Sequence, residues 1–291
     1  MRYRVLKKIQ KILVFLIILM GVLFLTSHLL GHYIENNVRF YPDYEKIDLI
    51  PILEKEALTK EDYKTLFYQT GLGPIAIDEI RARSNYKHDM ITSFQEDFFH
   101  PMPYQPFRSG VITAIYNVDE DGNQTEGFQF APFHNGYVFV TDASHTLGFR
   151  HGHSAVITDA KRNQSIEALT YGEPSSLAPI SSWRYRPTFI MLRLKDASQE
   201  TLDEIAKYAV ENLLDIPYTL TVGIFSAKNP SLERLKGTHC SHLVWYLFKQ
   251  FGYDIDADGG IIVTPLDIMR SEWFDVIQIY GLNPDDYWDD E

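Results

Sequence analysis

The sequence predicts an α+β fold carried behind an N-terminal membrane helix, and three observations lead there. Residues 12 to 31 are almost entirely apolar and as long as a helix needs to be to cross a hydrocarbon layer. From about Val111 onward, short β-branched and aromatic runs replace helical periodicity. Two later segments, Ser198 to Leu214 and one beginning near Cys240, place their apolar residues on a single helical face. Helices packed against a small antiparallel sheet satisfy all three.

Taken in order, Arg2, Arg4, Lys7, Lys8 and Lys11 precede the apolar run with no acidic residue among them. By the positive-inside rule this end stays in the cytoplasm, and everything after about residue 32 lies outside, as in a single-pass protein of the cell membrane. A cleaved secretory signal needs a shorter apolar core and small residues at its cut site, and Thr26-Ser27-His28-Leu29-Leu30 supplies a poor one. The chain thus divides into a basic tip and anchor (1–31), a helical and loop-rich lead-in (32–110) and a main domain (111–291).

In the lead-in, Thr59 to Thr70 reads as a capped helix punctuated by Gly71 and Gly73, and Ile75 to Arg83 as a second short helix. The proline-containing stretch 84–110 reads as a loop. Strands are expected at Val111–Tyr116, Tyr137–Thr141, Ser154–Thr158, Ser165–Thr170 and Thr188–Leu194, forming one sheet. The helix from Ser198 turns Leu202, Ile205, Ala206, Ala209, Val210 and Leu213 inward. The helix from Cys240 does the same with Leu243, Val244, Leu247, Phe248 and Phe251, and Gly252 follows at its end.

Without its first 31 residues the chain loses five of its 27 basic groups and no acidic one, leaving 22 against 39. Such a field repels phosphates and excludes nucleic acid as a partner. Simple solubility accounts for the charge. A single cysteine rules out an internal disulfide, so the fold relies on its core.

That cysteine carries the chemistry. In Thr-His-Cys-Ser-His-Leu-Val-Trp, Thr238 suits an N-cap, placing Cys240 in a first helical turn where unpaired N–H groups and the helix dipole stabilise a thiolate. In His-Gly-His-Ser-Ala-Val-Ile, His153 opens an apolar strand, and His151 shares its face by the period of two. One imidazole is the candidate base and the other a neighbour. Glu167, on the following strand, is the candidate for fixing the tautomer of the base, against the plainer reading of a solvent-facing carboxylate.

These segments, with Thr-Leu-Gly-Phe-Arg before His151, Ile-Glu-Ala-Leu around Glu167 and Ile-Pro-Tyr at Tyr218, resemble the YiiX-like branch of the NlpC-type, papain-like cysteine hydrolases over roughly 136–273. In that branch the histidine strand precedes the cysteine helix, a circular permutation of the usual order, and this chain has that order. The resemblance implies a papain-like sheet packed against helices, with Cys240 as nucleophile, His153 as base, Glu167 as its orienting group and Tyr218 near the cleft. His151, His239 and His242 would then border the site or bind substrate, and no cofactor is implied. The chain departs from the family in having Gly136-Tyr137 for the usual Gly-Asp and His242 where an acidic residue is common.

His151, His153, His239, Cys240 and His242 could alternatively ligate zinc, but adjacent His239 and Cys240 leave no standard chelate spacing, and no metal site is assigned. Asp254 to Gly259 copies the opening of a calcium loop and has Pro265 where the bidentate glutamate belongs, which favours an acidic turn leading into a strand at 261–263. Three function classes remain: a hydrolase of amide bonds, with cell-wall peptides or lipid-linked amides as substrate, a lipid or N-acyl transferase or thioesterase with the same parts, and an inactive wall-binding domain.

Overall fold

The computed structural model describes residues 2–83 and 86–288, with side chains from Lys7 onward. The side chains of Arg2 and Arg4, part of the expected basic tip, lie outside the described residues. Helix α1 (Arg2–Asn36) is continuous. It is long and apolar enough to cross a membrane, and its apolar window, of mean hydropathy 2.6, is left unburied by the rest of the chain. An uncut anchor and a signal sequence share that length and composition.

The lead-in holds α2 (Ile50–Leu53), α3 (Lys60–Thr70), α4 (Pro74–Arg83) and α5 (Lys87–Phe99). A reciprocal capping box between Thr59 and Asp62 starts α3, and Gly71, at φ +71°, ends it. Helix α5 falls where a loop was expected. Its buried Ile91, Phe94, Gln95 and Phe98 follow helical spacing, and the prolines at 101 and 103 stop the helix rather than dissolve it.

The strands are β1 (Tyr104–Ser109), β2 (Ile112–Asn117), β3 (Val138–Thr141), β4 (Ser144–Thr146), β5 (Phe149–Arg150), β6 (His153–Asp159), β7 (Gln164–Glu167), β8 (Ser176–Pro179) and β9 (Phe189–Leu194). Then come α6 (Gln199–Asn212), α7 (Cys240–Gln250), α8 (Pro265–Met269) and β10 (Phe274–Tyr280). They build two sheets where one was expected: a large one ordered β10-β9-β3-β6-β7-β8 and a small one ordered β1-β2-β4-β5. Every pairing is antiparallel. The chain leaves the large sheet after Thr141, forms the β4–β5 hairpin in the small one, and returns at His153, which pairs with Thr141.

Other expectations shift. The strand placed at 165–170 ends at Glu167, and β1, which falls in the expected loop, β4, β5, β8 and β10 were not anticipated. Residues 261–263 bend instead of forming a strand, because Gly259 turns at φ +65° and Thr264 immediately caps α8 with Asp267. Val210 stays 37% exposed, off the inward face of α6.

One apolar core joins the lead-in to the large sheet: Leu66, Phe67, Ile77 and Phe94 pack in the same cluster as Val138, Val156, Ile190, Leu243 and Val244. Backbone bonds strengthen the junction, with the Ile279 N–H donating to Gly71 O at 2.7 Å and the Gly73 N–H to Ile277 O at 2.9 Å. A smaller cluster of Ile34, Val38, Ile115 and Ala143 ties the end of α1 to the small sheet. Helices α6 and α7 both pack on β6. That packing carries the first turn of α7 to the start of β6.

Candidate active site

Three candidate residues meet where α7 begins and β6 starts. Thr238 bridges to Tyr218 in parallel, its N–H donating to Pro217 O at 2.9 Å while its carbonyl accepts from Thr219 N–H at 2.7 Å. That pins the chain just before the helix. The N-cap is His239 and not Thr238: the His239 ring accepts from the His242 N–H, leaving Cys240 as the first residue of the helix. The Thr238 hydroxyl turns instead to His242 Nδ1 at 2.9 Å.

Across the gap, His153 Nε2 donates to Glu167 Oε2 at 2.8 Å. The β6–β7 register pairs Val156 with Ile166 and Ile157 with Ser165. Continued by one step, it sets Glu167 opposite Ala155, diagonal to His153 on the same face. Glu167 Oε1 accepts from the Ser165 hydroxyl at 2.8 Å and from Trp183 Nε1 at 3.0 Å. The Trp183 ring also stacks on the His153 imidazole, with centroids 5.2 Å apart and planes 13° from parallel. Imidazole and carboxylate are thereby each held from two directions.

With Nε2 committed to Glu167, the other side of the ring is left for Cys240, the neighbour whose sulfur favours the charged form of His153. Burial opposes a charge on Cys240, yet the hydrogen bonds from His153 and His239 win and hold its pKa well below that of an ordinary thiol. Burial also disfavours the imidazolium, but the Cys240 and Glu167 contacts raise His153 from 6.5 to about 9. Glu167 stays low because its bonds from His153, Ser165 and Trp183 outweigh burial. Both shifts run in the same sense, toward a thiolate beside an imidazolium and away from the neutral pair. Cys240 keeps 9% of its surface, too little for bulk water to surround it.

The remaining candidates take other places. Tyr218 lies close enough to feel the charge of Cys240, and burial first and that charge second push its phenol up, so it remains a neutral donor. His242 donates from Nε2 to Lys228 O at 2.8 Å, and burial lowers it to about 4. It is a neutral support for the loop before α7. His151 does not share the face of His153. Gly152 between them adopts φ +81°, and a Cβ there would come within 2.0 Å of Thr141 O, so the chain turns sharply and the period of two fails. The His151 ring instead reaches Thr146 Oγ1 at 2.9 Å and Ser144 Oγ at 3.3 Å in the small sheet.

The chain matches no protein-family model, no curated protein and no solved structure. What the site can do is argued from its own geometry.

Two contributors were missed from the sequence. Ser165 was legible, since it precedes Glu167 by two and shares its face. Trp183 carried no such signal, because it arrives on a single 3₁₀ turn, Ile180–Tyr185. In the acidic loop, the Lys228 ammonium binds Asp256 and also Gly260 O at 2.6 Å, and lies 4.6 Å from the Trp245 ring centre. It supplies a positive charge to Asp256, whose carboxylate clusters with those of Asp258 and Asp267. A concavity of about 680 Å³ lies elsewhere, between α3, α8 and β10, and holds none of the candidates.

Proposed function

We propose that the protein is a membrane-anchored cysteine hydrolase of the papain-like, NlpC type, cleaving an amide bond through an acyl-enzyme. The observation that carries this reading is the Cys240–His153–Glu167 chain of hydrogen bonds at the N-terminus of α7. The order of histidine strand and cysteine helix agrees with the family resemblance noted above. The Cys240 thiolate attacks the acyl carbon, forming the C–S bond, and the carbonyl electrons move to an oxyanion facing the free first N–H groups of the helix. His153 gives its proton to the departing amine as the C–N bond breaks. Water then attacks the thioester, losing its proton to His153; the C–S bond breaks, releasing the carboxylic acid and restoring the thiolate, and Glu167 keeps the ring oriented throughout.

The anchor reading is supported by how the outer end of α1 joins the fold. Glu35 pairs with Arg108 at 2.8 Å, Ile34 is buried with Ile115, and the Ser27 hydroxyl donates to Leu147 O at 2.7 Å, so the domain uses α1 back to Ser27, through the segment where a signal would be cut. With that end held outside the cytoplasm, cell-wall peptides are the abundant amide substrate of a bacterial host.

A second reading, transfer or hydrolysis of a lipid acyl group, is favoured by one observation. Loops leaving the site carry exposed apolar side chains, with Tyr171 beyond Glu167 at 83% and Phe225 beyond Tyr218 at 85%. Incubating the protein and Cys240→Ala with muropeptides and with phospholipids, and reading products by mass spectrometry, separates the two. Cleavage of muropeptides only by the cysteine-bearing protein supports the amidase. Turnover surviving Cys240→Ala rejects the nucleophile altogether.

A further inference from the structure

We propose that the two hairpin tips of the small sheet insert into the outer interface of the lipid bilayer beside α1, giving the domain a second membrane contact that sets its orientation. The inference rests on α1 spanning the membrane and is independent of the catalytic reading.

Ile112 pairs with Thr146, and Thr146 pairs with Phe149. The turns at Gly110–Val111 and Leu147–Gly148 therefore lie at the same end of the small sheet. That end points back along α1 toward its apolar stretch. The Ser27 hydroxyl donates to Leu147 O at 2.7 Å. Gly148, at φ +80°, presses so closely that a Cβ would stand 2.7 Å from Ser27 O and 2.9 Å from Leu30 Cβ. At the other end of the sheet, Tyr104 donates to Asn36 O at 3.1 Å.

Ser27 is four residues short of Gly31, where the apolar run closes, which places the tips about 6 Å inside it at the helical rise per residue. That is the depth at which interfacial side chains settle. The tips carry the residues such a depth requires: Val111 is 60% exposed, Leu147 63% and Phe149 67%. One step behind them stand guanidinium groups, Arg108 on Glu35 and Arg150 on Asp142, each at 2.8 Å, at the level where headgroups begin. A bilayer covers apolar tips and apolar helix together, whereas water would face both. His153 follows Leu147 by six residues and so lies within about 22 Å of the tip even with the chain fully extended. The candidate site is thus held close over the membrane surface.

The test is spin-label depth measurement on the full chain in phospholipid nanodiscs, in a Cys240→Ala background. Single cysteines replace Phe149, Val111, Leu19 as the helix reference and Lys161 as the water reference, and near-UV circular dichroism verifies each fold. Labels at 149 and 111 should lose roughly tenfold in collisions with a water-soluble nickel chelate relative to 161, while gaining collisions with oxygen, because polar solutes are excluded from apolar surroundings. Nickel collisions at 149 and 111 equal to those at 161, with 19 still protected, overturn the proposal and leave the anchor intact. Water exposure at 19 overturns both. Protection of 149 and 111 from nickel and oxygen alike means protein covers the tips, and this too overturns the proposal.

Discussion

The His153 ring lies between two acidic groups, with Glu167 Oε2 accepting its Nε2 proton at 2.8 Å and Cys240 on the other side, near enough to favour its charged form. Neither anion is stable alone at that depth. Each keeps its charge because the imidazolium between them is protonated, so altering one partner shifts the other two.

Glu167→Gln should expose this coupling. The amide retains an oxygen for Trp183 Nε1 and Ser165 but loses the charge that supports the imidazolium, so turnover is expected to fall by about 10²–10⁴-fold. Trp183→Phe keeps the ring stack and removes one donor, costing about 1–3 kcal/mol through an under-satisfied buried carboxylate. Alkylation rates by iodoacetamide at neutral pH measure both, and a Glu167→Gln protein that alkylates and turns over like its parent would remove Glu167 from the site.

The pH profile follows from the signs of the shifts. His153 is raised from 6.5 to about 9, so its contribution to stability is complete below pH 6.5 and is lost as pH climbs through about 9. The Cys240 thiol, held well below an ordinary thiol by its histidine contacts against the pull of burial, is a thiolate at lower pH than a free cysteine. Turnover should therefore decline above about pH 9, where the general acid is lost, while alkylation remains fast there. An alkylation rate that rises only through the range of a free thiol, about 8.5, contradicts the ion pair.

His153→Ala and His151→Ala should separate cleanly. The first removes the partner of the thiolate and is expected to cost nearly all activity. The second breaks side-chain bonds to Thr146 and Ser144 and is expected to cost about 1–2 kcal/mol of stability with little effect on alkylation. Thermal melts beside activity assays distinguish them, and the opposite ranking assigns the base to His151.

Lys228→Met tests the acidic loop. The Asp256 side chain is fully buried against the Lys228 ammonium, so removing that cation should destabilise the fold by about 3–5 kcal/mol, read as a fall in Tm. The parent protein should keep its Tm in a chelator. A large chelator-dependent drop would mean that a metal ion, and not Lys228, balances these carboxylates.

Much of the candidate site was legible because its residues stand beside local signals. Cys240 precedes an apolar helical face, His153 opens an apolar strand, and Glu167 follows across one short turn, so spacing made them candidates, while the choice of His153 over His151 and the orienting role of Glu167 came from the family resemblance. The misreadings have particular causes. His151 was placed beside His153 on an alternation that one left-handed glycine interrupts. Thr238 was favoured as N-cap by residue type, but its hydroxyl was already taken by His242, and a histidine served instead. Helix α5 was overlooked because the aromatic and proline cluster at its end outweighed its periodicity.

By itself the sequence determined the long apolar helix, the α+β class and the segments that carry thiol, imidazole and carboxylate, because hydrophobic period and residue chemistry are properties of neighbours along the chain. Tertiary structure alone decided that the strands divide into two sheets, that Trp183 clamps both His153 and Glu167, and that the small sheet rests on the outer end of α1. Those contacts join residues far apart in sequence, and their energies depend on burial and hydrogen-bond geometry that exist only once the core has formed.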